Sequence, residues 1–398
     1  MKVHIKELNS CVMRKQKIRQ YERFIVENGH EILPLADEAD VVLVWTCAFR
    51  NDFREASLDE VDYLRKDSSK TVLVGGCLPD IDPKAIEDRP DCISVPWRED
   101  AKVLQGFFGE ELKLSQCIET FSEKQLCQDA VEHRKKNPKD DVTFHDQFIK
   151  IVISEGCNYN CSYCSEKLAF PAFKSMPLEH LVRECEKQIK KTGVTDVMLM
   201  ADSLGQYGMD IDLTFPDLVD ALKLISPKVQ FAFNNLNPID VLRFQDWFRS
   251  MISEDRILHL NLPIQSASNE ILRDMERPYT SQDLEKIFTL LREENFVDFD
   301  THLIVGFPGE TMDDVRASID FCLRNQVRYV LLSLYMESSG APSAKLLPKV
   351  SIDEARKRIE WASEKLRQNN IICNSDGSEI SKERIKRLFK EKRYNAAR

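Results

Sequence analysis

The chain has 398 residues, 42% of them hydrophobic and 31% charged, too long for one ordinary core and too apolar for disorder, so two or three folded domains are expected. Lys and Arg number 56 against 66 Asp and Glu, a net charge of -10, which leaves no global field to draw the protein to a phosphate backbone. Met1-Lys-Val-His-Ile opens without an apolar signal core, and no apolar run is long enough to span a bilayer; no membrane partner is expected, and the cytoplasm is the default location.

In chain order, Val3 to Leu8, Val41 to Trp45 and Thr71 to Val74 read as strands, and Lys15 to Asn28, ahead of Gly29, reads as a helix. The alternation predicts a first α/β domain over residues 1–115, a parallel sheet with flanking helices. Each of the three strands runs into a cysteine: Cys11, Cys47 and Cys77. Strand C-termini of a parallel sheet share one edge, where ligands bind, so the three are a candidate metal site; three buried small hydrophobes is the blander reading. With no secretion signal in view, the 12 cysteines of the chain are expected as metal ligands or buried thiols before disulfides.

The pattern weakens from Ser115, and the charged run His133 to Asp141 contains a proline. Residues 116–146 are expected to be a linker. From 147 to 344 strand and helix alternate again. Strands are expected at Phe148–Ile153, Val197–Ala201, Val229–Phe233, Ile257–Leu262, Phe299–Val305 and Tyr329–Leu334. Helices are expected at Pro177–Lys191, Phe215–Ile225, Ile239–Ile252, Ser281–Glu294 and Thr311–Asn325, with Gly193 as a C-cap. This predicts a partial (β/α)6 barrel of the TIM type, whose working face lies at the strand C-termini. Residues 345–398 read as a helical extension, Ile352 to Asn369 and Ser381 to Lys392, the second bearing the basic stretch Lys382 to Arg393. A solvated helix face explains that stretch as well as a binding surface does.

Just after the first barrel strand stand Cys157, Cys161 and Cys164, spaced C-x3-C-x2-C. Three thiolates on one loop can ligate three irons of a [4Fe-4S] cube and leave the fourth open. A structural zinc would need a fourth ligand at comparable spacing, and no Cys or His follows until His180. At the later strand ends lie Ala201 to Gly208, Asn234 to Pro238, Leu262 to Ser266 and Gly306 to Thr311. Polar groups and glycines there suit a nucleoside-like ligand, although such residues also make ordinary turns. Cys92, Cys117, Cys127, Cys185, Cys322 and Cys373 fit no ligand spacing and are expected as packing or incidental thiols.

The cysteine spacing resembles that of the radical S-adenosylmethionine enzymes. In them the open iron chelates the amino and carboxylate groups of S-adenosylmethionine, and an electron from the cluster cleaves it to a 5'-deoxyadenosyl radical. The runs Leu262-Pro-Ile-Gln-Ser266, Met275-Glu-Arg-Pro-Tyr-Thr280, Ile304-Val-Gly-Phe-Pro-Gly-Glu-Thr311 and Gly340-Ala-Pro-Ser-Ala344, with the two cysteine triads, narrow the resemblance to the methylthiotransferases over residues 1 to about 370. The resemblance implies two [4Fe-4S] clusters, one on Cys157, Cys161 and Cys164 and an auxiliary one on Cys11, Cys47 and Cys77. It implies S-adenosylmethionine near Tyr163, Asp202, Gln206, Tyr207, Asn235, Gln265, Ser266 and Gly306, and an external electron donor. The implied activity is insertion of a methylthio group at an unactivated C–H carbon.

Three departures from that family matter: the first two, with the acidic net charge, shape the expected substrate, and the third bears on the surroundings of the auxiliary cluster. The residues after Ala344 read as helices where relatives usually carry a small substrate-binding β-barrel. The segment Lys167-Leu-Ala-Phe-Pro-Ala-Phe-Lys-Ser-Met176 is apolar where the family is usually arginine-rich, and Val12-Met-Arg-Lys15 replaces the usual polar run after the first cysteine. An apolar loop suits a peptide better than a phosphate backbone. The expected substrate is therefore a peptide or protein side chain, a ribosomally made precursor peptide being one such substrate, with nucleic acid disfavoured. A transfer RNA adenosine, a cobalamin-dependent radical methylase and a non-catalytic iron-sulfur carrier are the alternatives.

Overall fold

A computed structural model describes residues 1–8, 12–48, 51–119, 148–169, 172–338 and 340–375. Its first sheet is formed by β1 (Lys2–Glu7), β2 (Glu31–Ile32), β3 (Val41–Thr46), β4 (Thr71–Gly76) and β5 (Cys92–Ser94) in the order β2-β1-β3-β4-β5. Every pairing is parallel. The run Val-Val-Leu-Val-Trp-Thr of β3 is buried at all six positions, as befits a central strand covered on both faces. Period two divides it. Val41, Leu43 and Trp45 join Ile18, Tyr21, Phe24 and Ile25 of the helix Val12–Glu27, while Val42 and Val44 join Val61 and Leu64 of the helix Asn51–Leu64. Strands β2 and β5 escape a sequence reading because two or three residues are too few to show a period.

The second sheet contains β6 (Ile149–Val152), β9 (Asp196–Met200), β10 (Gln230–Asn234), β11 (Ile257–Asn261), β12 (Phe299–Val305), β13 (Tyr329–Leu334) and β14 (Ile372–Ser375). They follow one another as neighbours in that order, all parallel. Six of the seven are the expected barrel strands. The helices between them lie at Leu178–Thr192, Phe215–Lys223, Ser281–Glu293 and Met312–Arg324. Gly193 ends the first of these at φ 72°, in the left-handed region. In β6, Ile149, Ile151 and Ile153 pack outward with the helices, while Phe148 and Val152 turn inward with Met198, Met200 and Ala232. Met13 of the first helix packs against this inward cluster, so the N-terminal sheet closes on the barrel interior.

Two expectations change. The helix expected over Ile239–Ile252 is two helices, Pro238–Arg243 and Gln245–Ser253. The chain leaves helical geometry at Phe244, φ -120° and ψ 32°, yet the Phe244 carbonyl still accepts from Phe248 N at 3.0 Å, so the apolar spacing runs on across the break and hides it. The C-terminal extension is not all helical: after the helix Ile352–Gln368, β14 pairs in parallel with β13. That four-residue strand covers the outer edge of β13. The expected helix Ser381–Lys392, Cys127 and all but the first residues of the expected linker lie outside the described residues; Cys117 and Glu119 pack onto the N-terminal helix, where Arg19 reaches Glu119 Oε2 at 3.1 Å.

Candidate functional site

Two short antiparallel strands, β7 (Ser154–Glu155) and β8 (Lys174–Ser175), clasp the ends of the segment that carries Cys157, Cys161 and Cys164. Neighbouring strand ends then hold the loop. Gly156 N donates to Asp202 Oδ2 at 2.8 Å and Asn158 N to Gln206 Oε1 at 2.9 Å. Tyr159 Oη donates to Asp240 Oδ1 at 3.2 Å, and Ser162 donates from N to Met275 O at 3.0 Å and from Oγ to Asp274 O at 2.6 Å. Side chains and carbonyls that follow three successive strands, β9, β10 and β11, thus fix the cysteines.

Burial is the main force on the thiols. It pushes Cys157 up to about 11 and Cys164 up to about 12; the Cys161 sulfur raises both further, and Cys157 adds to Cys164. The three sulfurs therefore share one neighbourhood, and Cys157 and Cys164 stay neutral until a metal displaces their protons. Among the described residues no three His, Cys, Asp or Glu side chains are already gathered into a metal-holding group, so the sulfurs stand near one another without closing on a common point. The donor chemistry fits an iron-sulfur cluster: three thiols on one anchored loop, with a cation against them. That cation is Arg277, whose Nη1 lies 3.2 Å from Cys161 Sγ and 3.2 Å from Tyr163 Oη. Its Nη2 donates to Pro263 O at 3.1 Å and its Nε to Tyr279 Oη at 2.7 Å.

In the N-terminal sheet, Cys47 follows β3 and Cys77 follows β4, next to the paired residues Thr46 and Gly76. Gly76 has φ 86°, and a Cβ there would stand 2.2 Å from Thr46 O, so only glycine lets Cys77 N reach Thr46 O at 3.1 Å. Cys47 N is held by Ser57 Oγ at 3.1 Å. Cys11 lies outside the described residues.

Asp202, Gln206 and Tyr163 touch the cysteine loop, as given above. Asn235 and Gln265 sit half-buried at strand ends with φ of 60° and 65°. Asn235 N donates to Asn261 Oδ1 at 3.1 Å, and Gln265 N to His302 O at 2.8 Å. The other three are engaged in packing. Tyr207 is fully buried and donates to Met176 O at 2.9 Å, and the Ser266 hydroxyl lies 3.3 Å from that of Ser318. A Cβ on Gly306 would stand 2.5 Å from the Ala355 Cβ, so that glycine admits the helix Ile352–Gln368.

Several polar residues here went unread in the sequence. His259 Nε2 lies 3.2 Å from Asp300 Oδ2, and Asn261 Nδ2 lies 2.5 Å from Asp300 Oδ1 and 3.2 Å from His302 Nε2. Burial works against the Asp300 carboxylate, but His259, His302 and Asn261 hold it below the usual range; burial pushes His302 down. The signal was the alternation in β12, where Phe299, Leu303 and Val305 pack outward and Asp300 and His302 fall between them. Arg14, inside a helical run, gave no such signal. Its Nη2 pairs with Asp202 Oδ1 at 2.6 Å and its Nη1 with Oδ2 at 3.2 Å.

Comparison with known proteins bears on this geometry. The radical SAM superfamily model matches residues 151–322, and the uncharacterized protein family UPF0004 model matches residues 2–95. A probable threonylcarbamoyladenosine tRNA methylthiotransferase of Pyrococcus horikoshii is 30% identical over 325 residues, 80% of this chain and 73% of that protein. The ribosomal protein uS12 methylthiotransferase of Chlorobium chlorochromatii is 29% identical over 339 residues, 81% of this chain and 70% of that protein. Among solved structures, the radical S-adenosylmethionine methyltransferase TsrM from Kitasatospora setae, with cobalamin and a [4Fe-4S] cluster bound, aligns with a TM-score of 0.59 at 15% identity, covering 86% of this chain and 77% of that one. At that identity the likeness is one of fold.

Proposed function

Because the chain belongs to the radical S-adenosylmethionine methylthiotransferases, we propose that Cys157, Cys161 and Cys164 hold its [4Fe-4S] cluster and that Cys11, Cys47 and Cys77 hold a second. The enzyme is a transferase that uses S-adenosylmethionine and a [4Fe-4S] cluster. Held by Cys157, Cys161 and Cys164, a cluster would supply the electron for reductive cleavage of S-adenosylmethionine, drawn in turn from an external donor. This chain's residues supply the rest: Asp202, Gln206, Ser162 and Asp240 fix the loop, and Arg277 sets a positive charge against Cys161. Asn235, Gln265 and Tyr163 are the half-buried groups left to face a nucleoside, whereas Tyr207, Ser266 and Gly306 act on it only by shaping the wall. Residues 1–115 form the auxiliary-cluster domain and 147–344 the radical barrel, joined by 116–146 and followed by 345–398.

The substrate is a nucleic acid or a protein, and we take it to be a polypeptide side chain that receives a methylthio group on an unactivated carbon. The observation that carries this is the excess of 66 acidic over 56 basic residues, which opposes a polyanion. The apolar loop no longer adds to it: Ala169 is buried, and Leu168 Cδ1 lies where a Cβ on Gly340 would come within 2.3 Å of it, so its described start is packed. A transfer RNA adenosine is the second reading, favoured by the name of the Pyrococcus relative. Mass spectrometry after anaerobic turnover with peptides and with transfer RNA separates the two. An added methylthio group on a peptide is expected; one on transfer RNA alone would overturn the substrate half. Iron near about eight per chain, falling to about four on changing Cys11, Cys47 and Cys77 to Ala, is expected for two clusters.

A further inference from the structure

The two cysteine sets lie on different sheets, and one buried side chain reaches from the helix after Cys11 to the strand end beside the other set. Arg14 stands on the helix Val12–Glu27, three residues after Cys11, and is 4% exposed. It crosses to the barrel and grips the Asp202 carboxylate at 2.6 and 3.2 Å, with the two side chains 5% and 2% exposed. The guanidinium is also stacked 4.6 Å from the centre of the Trp97 ring, which fixes its plane from the N-terminal side. Asp202 Oδ2 accepts from Gly156 N at 2.8 Å, and Gly156 is the residue before Cys157. The link from the helix after Cys11 to the turn before Cys157 therefore consists of one planar, bidentate ion pair and one amide hydrogen bond, beside the direct packing of Leu78–Ile81 on Glu166–Ala169.

We propose that Arg14 is a positioning residue that sets the Gly156 turn, and with it the cysteine loop, from the N-terminal domain by way of Asp202. A bidentate guanidinium fixes both the distance and the orientation of a carboxylate, which a lysine cannot do. Removing the guanidinium leaves the buried Asp202 carboxylate without the cation that pairs with it. Asp202 is then bound to Arg14 and Gly156 rather than to a ligand. For its consequence, though not for its geometry, the assignment rests on the reading of Cys157, Cys161 and Cys164 as cluster ligands.

The test is a double-mutant cycle on the reconstituted full chain, using Arg14→Met, which keeps an apolar stem over Trp97, and Asp202→Asn, which keeps an acceptor for Gly156. Hydrogen exchange of residues 154–160 is expected to quicken about tenfold or more in each single variant and by no more than about twofold further in the double. Strand Val41–Thr46 and iron content should be unchanged. With dithionite and S-adenosylmethionine as the probe, 5'-deoxyadenosine formation should fall about tenfold in Arg14→Met, since small displacements of a reacting site cost that much or more; Arg14→Lys should recover only part. Unchanged exchange at 154–160 in Arg14→Met, or effects that multiply in the double, would overturn the proposal. If Arg14→Met loses protection in Val41–Thr46, Arg14→Lys decides: quickened exchange at 154–160 supports the assignment and none overturns it. A wild-type protein with full iron that forms no 5'-deoxyadenosine defeats the functional reading instead, while the exchange result still stands for or against Arg14.

Discussion

A guanidinium 3.2 Å from the Cys161 sulfur favours the more negative, reduced state of any cluster held there, because it offsets charge and donates a hydrogen bond. Arg277→Gln should lower the midpoint potential of the barrel cluster by an amount on the order of tens of millivolts, read by redox titration with electron paramagnetic resonance. Glu310 makes a different case. Its Oε2 accepts from Gly306 N at 2.6 Å and lies 3.3 Å from Arg358 Nη1, yet burial outweighs both and pushes its carboxyl up to about 7. A carboxyl raised on folding contributes stability below its ordinary value, near 4.5, and that contribution is lost as pH rises through 7. The stability of Glu310→Gln relative to wild type should therefore rise between pH 5 and pH 8, by on the order of 2 kcal/mol, as read by denaturant unfolding at each pH. At this scale the cysteines stand out in the sequence because their spacing points to a chemistry. The pairing of Arg14 with Asp202 does not, since a pair 188 residues apart leaves no local pattern.

Three of the barrel helices begin with the same device. Thr214, Thr280 and Thr311 each accept from the backbone amide three residues on, and Asp217, Asp283 and Asp314 reach back to the threonine amides at 2.8, 3.1 and 2.8 Å. The boxes satisfy helix-end donors that have no partner within the helix. Thr311→Ala should cost about 1 kcal/mol, measured by chemical denaturation, with the helix Met312–Arg324 retained. The apolar period made the barrel helices legible to within a residue or two. What escaped was set by tertiary packing. The stop at Phe244 has no breaker in sequence, and β14 is a strand because β13 offers it an edge, not because Ile372–Ser375 demands one.

Across the whole molecule, the N-terminal sheet meets the barrel through Met13, Arg14 and Arg98, the last donating to Lys167 O at 3.3 Å. No described helix is long and apolar enough to cross a membrane. The cysteine loop is held by hydrogen bonds that owe nothing to metal. Stripping iron with a chelator should therefore leave the amides of Gly156, Asn158 and Ser162, and strands β6, β9 and β10, protected from hydrogen exchange; loss of that protection would show instead that metal holds the loop.

The clasp of β7 on β8 has a consequence for how such a loop can diversify. The cysteine half is tied to fixed strand ends and the clasp pins the far end, so both ends of the segment are set by the barrel and not by what lies between them. Doubling a loop held at both ends costs only about 0.6 kcal/mol in closure entropy. A change of length between the two anchors is therefore cheap, and it leaves the hydrogen bonds that place the sulfur atoms upstream untouched.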